Sequence, residues 1–409
     1  MDTKNRKLLN SYIQANRWLL YKGKTLYTCC QYFYILFSIL LLAASMGVIR
    51  TDESRRAEIE EFRRMLLSCS GVVVKVKTEE EYNRRQVPAA NRNEYTADQK
   101  LVCVTSGVSF LGIAIVKKLL VRGYSVRIIV DNEDDIERLR EIEITEEAGG
   151  RSNITSNNQI GVVVAKFNER RSLMEAFDGC CAVFHTASFI DPSGLSGYSK
   201  IMAEVEARAA ENIAEACAAT SSIRNYVLTS SLLTCIWRDI SDSSLSHVVD
   251  HNTWSDESFC KRKKLWYALG KLKAEHVSWK IAKEKGLKLA TICSGLVTGP
   301  RYFCANPSST IAYLKGGQDM YDYGLLATVN VDKLADAHVY VYEGMNKSGG
   351  GRYVCYDKVV CSPNEVQRLE EETGIHINTT SNDSEFQFVL SNRKLDQLMS
   401  QVHRCSNLY

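Results

Sequence analysis

A tyrosine and a lysine four positions apart are the residues of this 409-residue chain best suited to catalysis. Tyr267 and Lys271 stand at positions i and i+4, which places both side chains on one face of a helix. A nearby ammonium group favours the phenolate, so the tyrosine becomes a better proton shuttle for a carbonyl group that receives hydride. The pair predicts carbonyl reduction, although an isolated Tyr-x-x-x-Lys pair is often only a surface contact.

A hydroxyl group at the end of the preceding strand would complete this catalytic set. The run Tyr226-Val-Leu-Thr-Ser-Ser231 is an apolar strand that finishes on two serines. We expect Ser231 to hydrogen-bond the substrate oxygen and to place it near Tyr267, with Ser230 as the alternative. A serine pair at a strand end can also form a turn or cap a helix.

A turn of small residues between the first strand and the first helix predicts a dinucleotide site. The run from Thr105 to Gly112 stands where a pyrophosphate docks against backbone N–H groups and the positive end of a helix. Ser106 and Ser109 occupy positions where glycine would allow the backbone to approach the pyrophosphate most closely, so one interpretation is a weaker or displaced cofactor. The alternative is that binding is retained, because a serine hydroxyl can cap the helix or donate to phosphate. The predicted cofactor contacts here are Ser106, Gly107, Ser109, Phe110, Leu111 and Gly112. Lys271 is expected to reach the nicotinamide ribose.

An acidic residue after the second strand bears on the choice of cofactor. Asp131 follows Gly112 by nineteen positions, where a carboxylate can accept bonds from the adenine-ribose hydroxyls and would repel a 2′-phosphate. It therefore favours NAD over NADP. The alternative is that Asp131 begins a solvated acidic loop.

Alternating strands and helices must position these residues. Apolar strand segments recur, with helical segments between them, at 101–105, 125–130, 161–165, 182–185, 226–229 and 289–293. This alternation predicts an α/β fold with a doubly wound parallel sheet of the Rossmann kind. We expect the NAD(P)-binding domain to span 101–300 and a smaller C-terminal substrate lobe to span 301–409.

The first hundred residues predict a helical N-terminal extension. Residues 1–24 are a basic leader, 25–49 carry no charged side chain, and 50–100 form a charged helix and a linker. Because about 20 apolar residues cross a bilayer, 25–49 predicts a transmembrane helix. A cleaved signal peptide or a buried extension are the alternatives. We expect a cytoplasmic protein, anchored to a membrane through 25–49 with its catalytic domain facing the cytosol.

Composition excludes several other classes of protein. The formal net charge is only +3, and the basic residues are scattered, so no nucleic-acid partner is expected. The 14 cysteines lack paired metal spacings and predict reduced, buried thiols in a cytosolic protein. The histidines show no metal spacing either, so no metal site is expected.

Short motifs around these residues give most of 101–400 a resemblance to the plant cinnamoyl-CoA reductase and dihydroflavonol 4-reductase family of extended short-chain dehydrogenases/reductases. They are Phe184-His-Thr-Ala-Ser188, Val227-Leu-Thr-Ser-Ser231, Trp254-Ser-Asp256, Trp266-Tyr267 with Lys271, Leu296-Val-Thr-Gly-Pro300 and Ser391-Asn-Arg-Lys-Leu395. The resemblance implies NADPH-dependent reduction of a phenylpropanoid-type carbonyl or thioester, as in lignin biosynthesis. It also implies that Thr186 and Ala187 line the nicotinamide side, and that Ser231, Tyr267 and Lys271 form a catalytic triad.

The departures from that family leave the cofactor open between NAD and NADP. Asp131 replaces the basic residue that would hold a 2′-phosphate, and Lys166 stands where an adenine-contacting Asp is common. The serines of the phosphate turn motivate a competing function, a catalytically weak or inactive nucleotide-binding protein with a regulatory or scaffold role. If the chain is instead an active reductase, the expected partner is a small-molecule substrate.

Overall fold

The structure, a computed structural model, describes residues 74–76, 100–130, 160–186, 198–239, 246–300, 307–348, 350–379 and 387–406. Two predicted cofactor contacts, Asp131 and Ala187, lie outside these ranges. The predicted leader, the apolar segment 25–49 and nearly all of 50–100 lie outside them as well.

The described chain alternates strands with helices from Leu101 onward. The strands are β1 (Val74–Val76), β2 (Leu101–Thr105), β3 (Ser125–Val130), β4 (Ile160–Val164), β5 (Ala182–His185), β6 (Asn225–Ser231), β7 (Val248–Val249), β8 (Lys288–Ser294), β9 (Leu296–Thr298), β10 (Ala327–Asn330), β11 (Gly351–Cys355), β12 (Lys358–Val359) and β13 (Val389–Leu390). The helices are α1 (Phe110–Val121), α2 (Arg170–Phe177), α3 (Lys200–Ala219), α4 (Leu233–Ile236), α5 (Glu257–Arg262), α6 (Trp266–Lys285), α7 (Pro307–Tyr313), α8 (Gly317–Asp322), α9 (Val331–Ser348), α10 (Pro363–Thr373) and α11 (Arg393–Ser406).

Eight parallel strands form one sheet in the order β1-β4-β3-β2-β5-β6-β8-β11. The order runs outward in both directions from β2, so the predicted doubly wound Rossmann sheet is confirmed. The direction of winding reverses between β2 and β5, and this is where a sheet of this kind opens a crevice at the carboxyl ends of its strands.

Side chains on both faces of the sheet are buried, as its apolar strands predict. Val102 and Val104 belong to the apolar cluster that contains residues of α1 and α9, whereas Cys103 belongs to the cluster with α2, α3 and α6. This alternation follows from the two-residue period of a strand. The result is three layers, with the sheet between two helical layers.

Two small sheets lie outside the large one. Strands β9, β10 and β12 form a three-stranded sheet, and β7 pairs with β13. Their apolar cluster includes side chains of α4, α5, α8 and α10. Residues 331–355 supply α9 and β11 to the layers of the large sheet. The boundaries 101–300 and 301–409 stay a prediction.

The prediction of a transmembrane helix is corrected and not retained. Within the part of the chain that the structure describes, no helix has the length and the apolar character needed to cross a membrane. The segment that motivated the prediction, 25–49, lies outside those residues.

Candidate active site

Hydrogen bonds join the carboxyl ends of β2 and β5 at the switch point. The Thr105 hydroxyl lies 2.9 Å from His185 Nδ1 and accepts the backbone N–H of Thr186 at 3.1 Å. The Thr186 hydroxyl in turn donates to the Thr105 carbonyl oxygen at 2.5 Å. Thr186, predicted to line the nicotinamide side, therefore lies directly beside the start of the phosphate turn.

The phosphate turn folds tightly although a serine stands at its sharpest point. Ser106 has φ +51°, a left-handed conformation that glycine adopts more easily than serine. A Cβ atom at Gly112 would lie 2.2 Å from the Ser106 carbonyl oxygen, so the helix approaches the turn closely only because this residue is glycine. Gly107 is similarly confined, since its Cβ would lie 2.7 Å from Ile128 Cγ2.

Ser109 is the N-cap of α1. Its side-chain oxygen accepts the backbone N–H of Gly112 at 3.1 Å, which satisfies one of the donors that a helix start leaves without an intrahelical partner. A hydroxyl that accepts this bond can still donate its hydrogen to a phosphate oxygen. Phe110 and Leu111 follow as the first two residues of the helix. The predicted strand–turn–helix arrangement of the turn is present.

Helix α6 carries Tyr267 and Lys271 one turn apart. The Lys271 ammonium nitrogen lies 5.9 Å from the centroid of the Tyr267 ring. The Tyr198 ring packs edge-to-face on the Tyr267 ring, with centroids 5.1 Å apart and an interplanar angle of 85°. Gly270 permits a close approach of α3 here, because its Cβ would lie 2.6 Å from the Tyr198 hydroxyl and 3.0 Å from Ala203 Cα.

A buried carboxylate that the sequence analysis missed contacts Lys271. Its ammonium nitrogen donates to Glu206 Oε1 at 2.7 Å, and the two side chains are only 6% and 3% exposed. Burial acts to lower the pKa of the Lys271 ammonium, but the charges of Glu206 and Tyr267 and the hydrogen bond to Glu206 raise it above its ordinary value. A sequence pattern could have indicated this residue. Glu206 stands three positions after Ala203 and four before Ala210, so it shares their face of α3, and that face is buried.

The two serines at the end of β6 have different partners. Ser230 donates to Glu275 Oε2 at 2.8 Å, inside the core of the domain. Ser231 accepts the backbone N–H of Leu233 at 3.3 Å and pairs with Ser294 across the sheet. Of the two alternatives, Ser230 is thus committed to the Glu275 network, which leaves Ser231 as the better candidate for a substrate contact.

Glu275 is a second buried acid that the sequence analysis missed. It lies one turn beyond Lys271 on α6 and forms an ion pair with Arg352 at 2.8 Å, with exposures of 0% and 5%. Hydroxyl groups on three elements also donate to it, from Ser230, Thr234 and Thr291. This network joins α6 to β6, α4, β8 and β11, and so fixes the helix that carries Tyr267.

The positive charge of Lys271 acts on His185, which relates helix α6 to the switch point at the end of β5. Burial, followed by the positive charge of Lys271, lowers the pKa of His185 to about 3, so the imidazole is neutral. The electrostatic effect of Lys271 therefore extends to the end of β5, which pairs with β2 and so adjoins the strand that leads into the phosphate turn. Ser231 lies at the end of the adjacent strand, since β5 and β6 pair in parallel.

Lys166, which stands where the family commonly has an adenine-contacting Asp, is exposed. Its side chain is 64% exposed and its ammonium nitrogen lies 3.6 Å from Glu169, three positions along the chain. No group of three or more potential metal-ligating side chains occurs among the residues that the structure describes.

A family model and several characterised proteins are similar to this chain. The model for the 3-beta hydroxysteroid dehydrogenase/isomerase family matches residues 103–369. Cinnamoyl-CoA reductase 1 of Petunia hybrida is 36% identical over 279 residues, which are 66% of this chain and 77% of the relative. Tetraketide alpha-pyrone reductase 1 of Arabidopsis thaliana is 32% identical, with 63% of this chain and 77% of the relative covered.

Solved structures share the same architecture. Vestitone reductase from alfalfa (Medicago sativa) superposes with a TM-score of 0.52 and 25% identity, covering 73% of this chain and 91% of the other. Yeast methylglyoxal/isovaleraldehyde reductase, solved in complex with NADPH, gives a TM-score of 0.55 at 18% identity, with 73% and 93% covered. The latter similarity shows the fold alone.

Proposed function

This chain belongs to the 3-beta hydroxysteroid dehydrogenase/isomerase family, and from this premise we propose that it uses NADPH to reduce a phenylpropanoid-type carbonyl or thioester group. It is an NAD(P)-dependent reductase of the cinnamoyl-CoA reductase-like kind, as its relatives indicate. The competing function, a regulatory or scaffold protein without turnover, is not favoured.

One observation supports the proposal more than any other: the Lys271 ammonium lies 5.9 Å from the centroid of the Tyr267 ring, and its charge acts on His185 at the end of β5, the strand that pairs with β2, from which the phosphate turn starts. A nicotinamide in this crevice would supply hydride to the carbonyl carbon of the substrate. Tyr267 would then give its hydroxyl proton to the carbonyl oxygen, while Ser231 donates a hydrogen bond to the same oxygen. With a thioester substrate, the adduct expels the thiol and leaves an aldehyde.

The residues of the turn fit a dinucleotide. Gly107 and Gly112 have no space for a Cβ atom, and Ser109 begins a twelve-residue helix whose positive end faces the turn. We propose that Ser106 and Ser109 contact the pyrophosphate through backbone and hydroxyl groups. Thr186 and Ala187 are proposed to line the nicotinamide, and Lys271 to bind its ribose.

NADPH is the proposed cofactor because the resemblance to cinnamoyl-CoA reductases implies it and the yeast structural neighbour was solved with NADPH, whereas only Asp131 favours NAD. Asp131 would repel the 2′-phosphate if it faced the adenine ribose. Calorimetric titration of the full chain with NADPH and with NADH decides between them, and we expect NADPH to bind more tightly. Asp131→Ala should strengthen NADPH binding if this carboxylate lies at the ribose; Asp178→Ala, which removes an exposed carboxylate elsewhere, serves as the matched control. Tighter binding of NADH by the wild-type chain would refute the choice of NADPH.

The substrate class is tested by turnover. Purified full-length protein is mixed with NADPH and a panel of hydroxycinnamoyl-CoA esters, flavanones and hydroxysteroid-derived ketones, and loss of NADPH absorbance is followed. We expect the aromatic thioesters or ketones to give the highest kcat/KM. Reduction of the steroid ketones alone would refute the phenylpropanoid assignment, and no turnover with any member of the panel would refute the proposed function.

We also propose a cytoplasmic location, which imaging of a fluorescent fusion would test.

A further inference from the structure

Glu206 is the carboxylate closest to the proposed catalytic pair. Its Oε1 atom accepts the Lys271 ammonium at 2.7 Å, and its Oε2 atom accepts the Tyr198 hydroxyl at 3.3 Å. The Tyr198 ring packs against the Tyr267 ring, so the four side chains form a closed loop of contacts. Both side chains of the ion pair, Lys271 and Glu206, are nearly inaccessible to water, so solvent screens their charges only weakly.

We propose that Glu206 is a positioning residue of this reductase: its carboxylate holds the Lys271 ammonium beside Tyr267 and sets the pH above which the pair no longer delivers a proton. This inference rests on the proposed function, because it assigns Tyr267 as the proton donor. The inference goes beyond the proposed function by adding a third ionisable group, on a different helix, to Tyr267 and Lys271.

The position of Glu206 on α3 makes the contact depend on the packing of two helices. The N-cap of α3 is Ser199, whose hydroxyl accepts the N–H of Met202 at 3.3 Å and so begins the helix about two turns before Glu206. Gly270 on α6 allows the helices to approach closely. A carboxylate with two fixed partners holds a flexible lysine side chain in one orientation at less entropic cost during turnover.

The charges around the ion pair determine the direction of the pH effect. Four ionisable groups interact electrostatically with the ion pair. They are Tyr267 on α6, the helix of Lys271; Tyr198, which precedes α3; His185 at the end of β5; and Tyr226 in β6. His185 is neutral, and burial holds the pKa of Tyr198 and of Tyr226 well above its usual range. Removal of the Glu206 charge makes loss of a proton from the cluster easier, whether Tyr267 or Lys271 releases it.

The test compares the pH dependence of kcat for full-length Glu206→Gln, Glu206→Asp and wild type. In Glu206→Gln, the fall of kcat at alkaline pH should move to lower pH by about one unit, given the separation of the charges in a weakly screened site. Glu206→Asp keeps the charge and should keep the wild-type midpoint even if kcat falls. Glu204→Gln, which removes an exposed carboxylate from the same helix, should leave the profile unchanged. A merely structural role would lower kcat at every pH without moving the midpoint, and that result would overturn the proposal.

A second measurement separates this inference from the proposed function. If the wild-type chain reduces nothing, the proposed function fails, and the ion pair is tested by urea unfolding between neutral pH and the alkaline range. The pKa of Lys271 in the folded chain is raised, so its stabilising effect is present below the ordinary lysine pKa and is lost as pH rises through the folded value. The stability advantage of wild type over Glu206→Gln should therefore shrink at alkaline pH. A difference that does not change with pH would overturn the inference independently of turnover.

Discussion

The buried ion pair between Glu275 and Arg352 makes a prediction that can be worked through quantitatively. Glu275→Gln removes the charge that compensates Arg352, whose side chain is 5% exposed, and it faces three hydroxyl donors with an amide group. Breaking a buried ion pair by removing one partner costs about 3–5 kcal/mol, because the other charge remains buried. With a urea dependence of about 3 kcal/mol per molar, the unfolding midpoint should fall by about 1–2 M.

An exposed pair of the same chemistry is the control. Arg171 and Glu175 lie 3.0 Å apart on α2 at i,i+4 spacing, with side chains that are 94% and 55% exposed. Glu175→Gln should cost no more than about 0.5 kcal/mol, since solvent screens such pairs. Urea unfolding followed by circular dichroism measures both variants. Equal effects of Glu275→Gln and Glu175→Gln would refute the argument that burial makes the first pair different.

A double-mutant cycle and a pH series refine the test. Glu275→Leu combined with Arg352→Met removes both charges, so the double variant should be less destabilised than the sum of the single variants, with a coupling of about 1–3 kcal/mol. Burial acts to raise the pKa of Glu275, but the Arg352 charge and the hydrogen bonds lower it below its ordinary value. A lowered carboxyl pKa stabilises the folded state above the unfolded pKa, so the advantage of wild type over Glu275→Gln should disappear as pH falls through the folded value. Additive single effects would contradict the coupling.

The remaining predictions concern the site itself. Gly112→Ala places a Cβ 2.2 Å from a backbone oxygen of the turn, so NADPH binding in calorimetry should weaken at least about tenfold; Gly161→Ala, which meets nothing within 4 Å, should bind as wild type does, and equal affinities would contradict the close approach. Ser231→Ala should lower kcat by about 100-fold, as the loss of one oxyanion donor does. Ser230→Ala should instead lower the free energy of unfolding by about 1.5–3 kcal/mol with little change in kcat, and the reverse pattern would exchange the two roles. Gly270→Ala should cost about 1–3 kcal/mol in thermal unfolding, because α3 must move away, and an unchanged melting temperature would refute the close helix contact.

The sheet could be predicted from the sequence because each strand is apolar on both faces. Val102 and Val104 face one helical layer and Cys103 the other, so the run of uncharged residues itself indicates a buried parallel strand. The phosphate turn could be located for a similar local reason, since it stands between such a strand and a helix. Both are patterns within a few neighbouring residues.

The buried acids could not be placed in the same way, because their partners are distant in sequence. Glu206 and Lys271 are 65 positions apart, and Glu275 and Arg352 are 77 apart. An acidic residue on the buried face of a helix signals that a partner exists, but only the packing of α3, α6 and β11 identifies it. For the same reason, the sequence left Ser230 and Ser231 as alternatives until Glu275 was found beside the first of them.

The measurement that bears most directly on the account is turnover by Tyr267→Phe. The variant keeps the ring that packs on Tyr198 and loses only the hydroxyl, so the fold and the affinity for NADPH should stay as in wild type. With the best carbonyl substrate of the panel, kcat for NADPH oxidation should fall by about 10²–10⁴-fold, the range expected for loss of a general acid. Undiminished turnover by a folded Tyr267→Phe chain would contradict the assignment of this tyrosine as the proton donor.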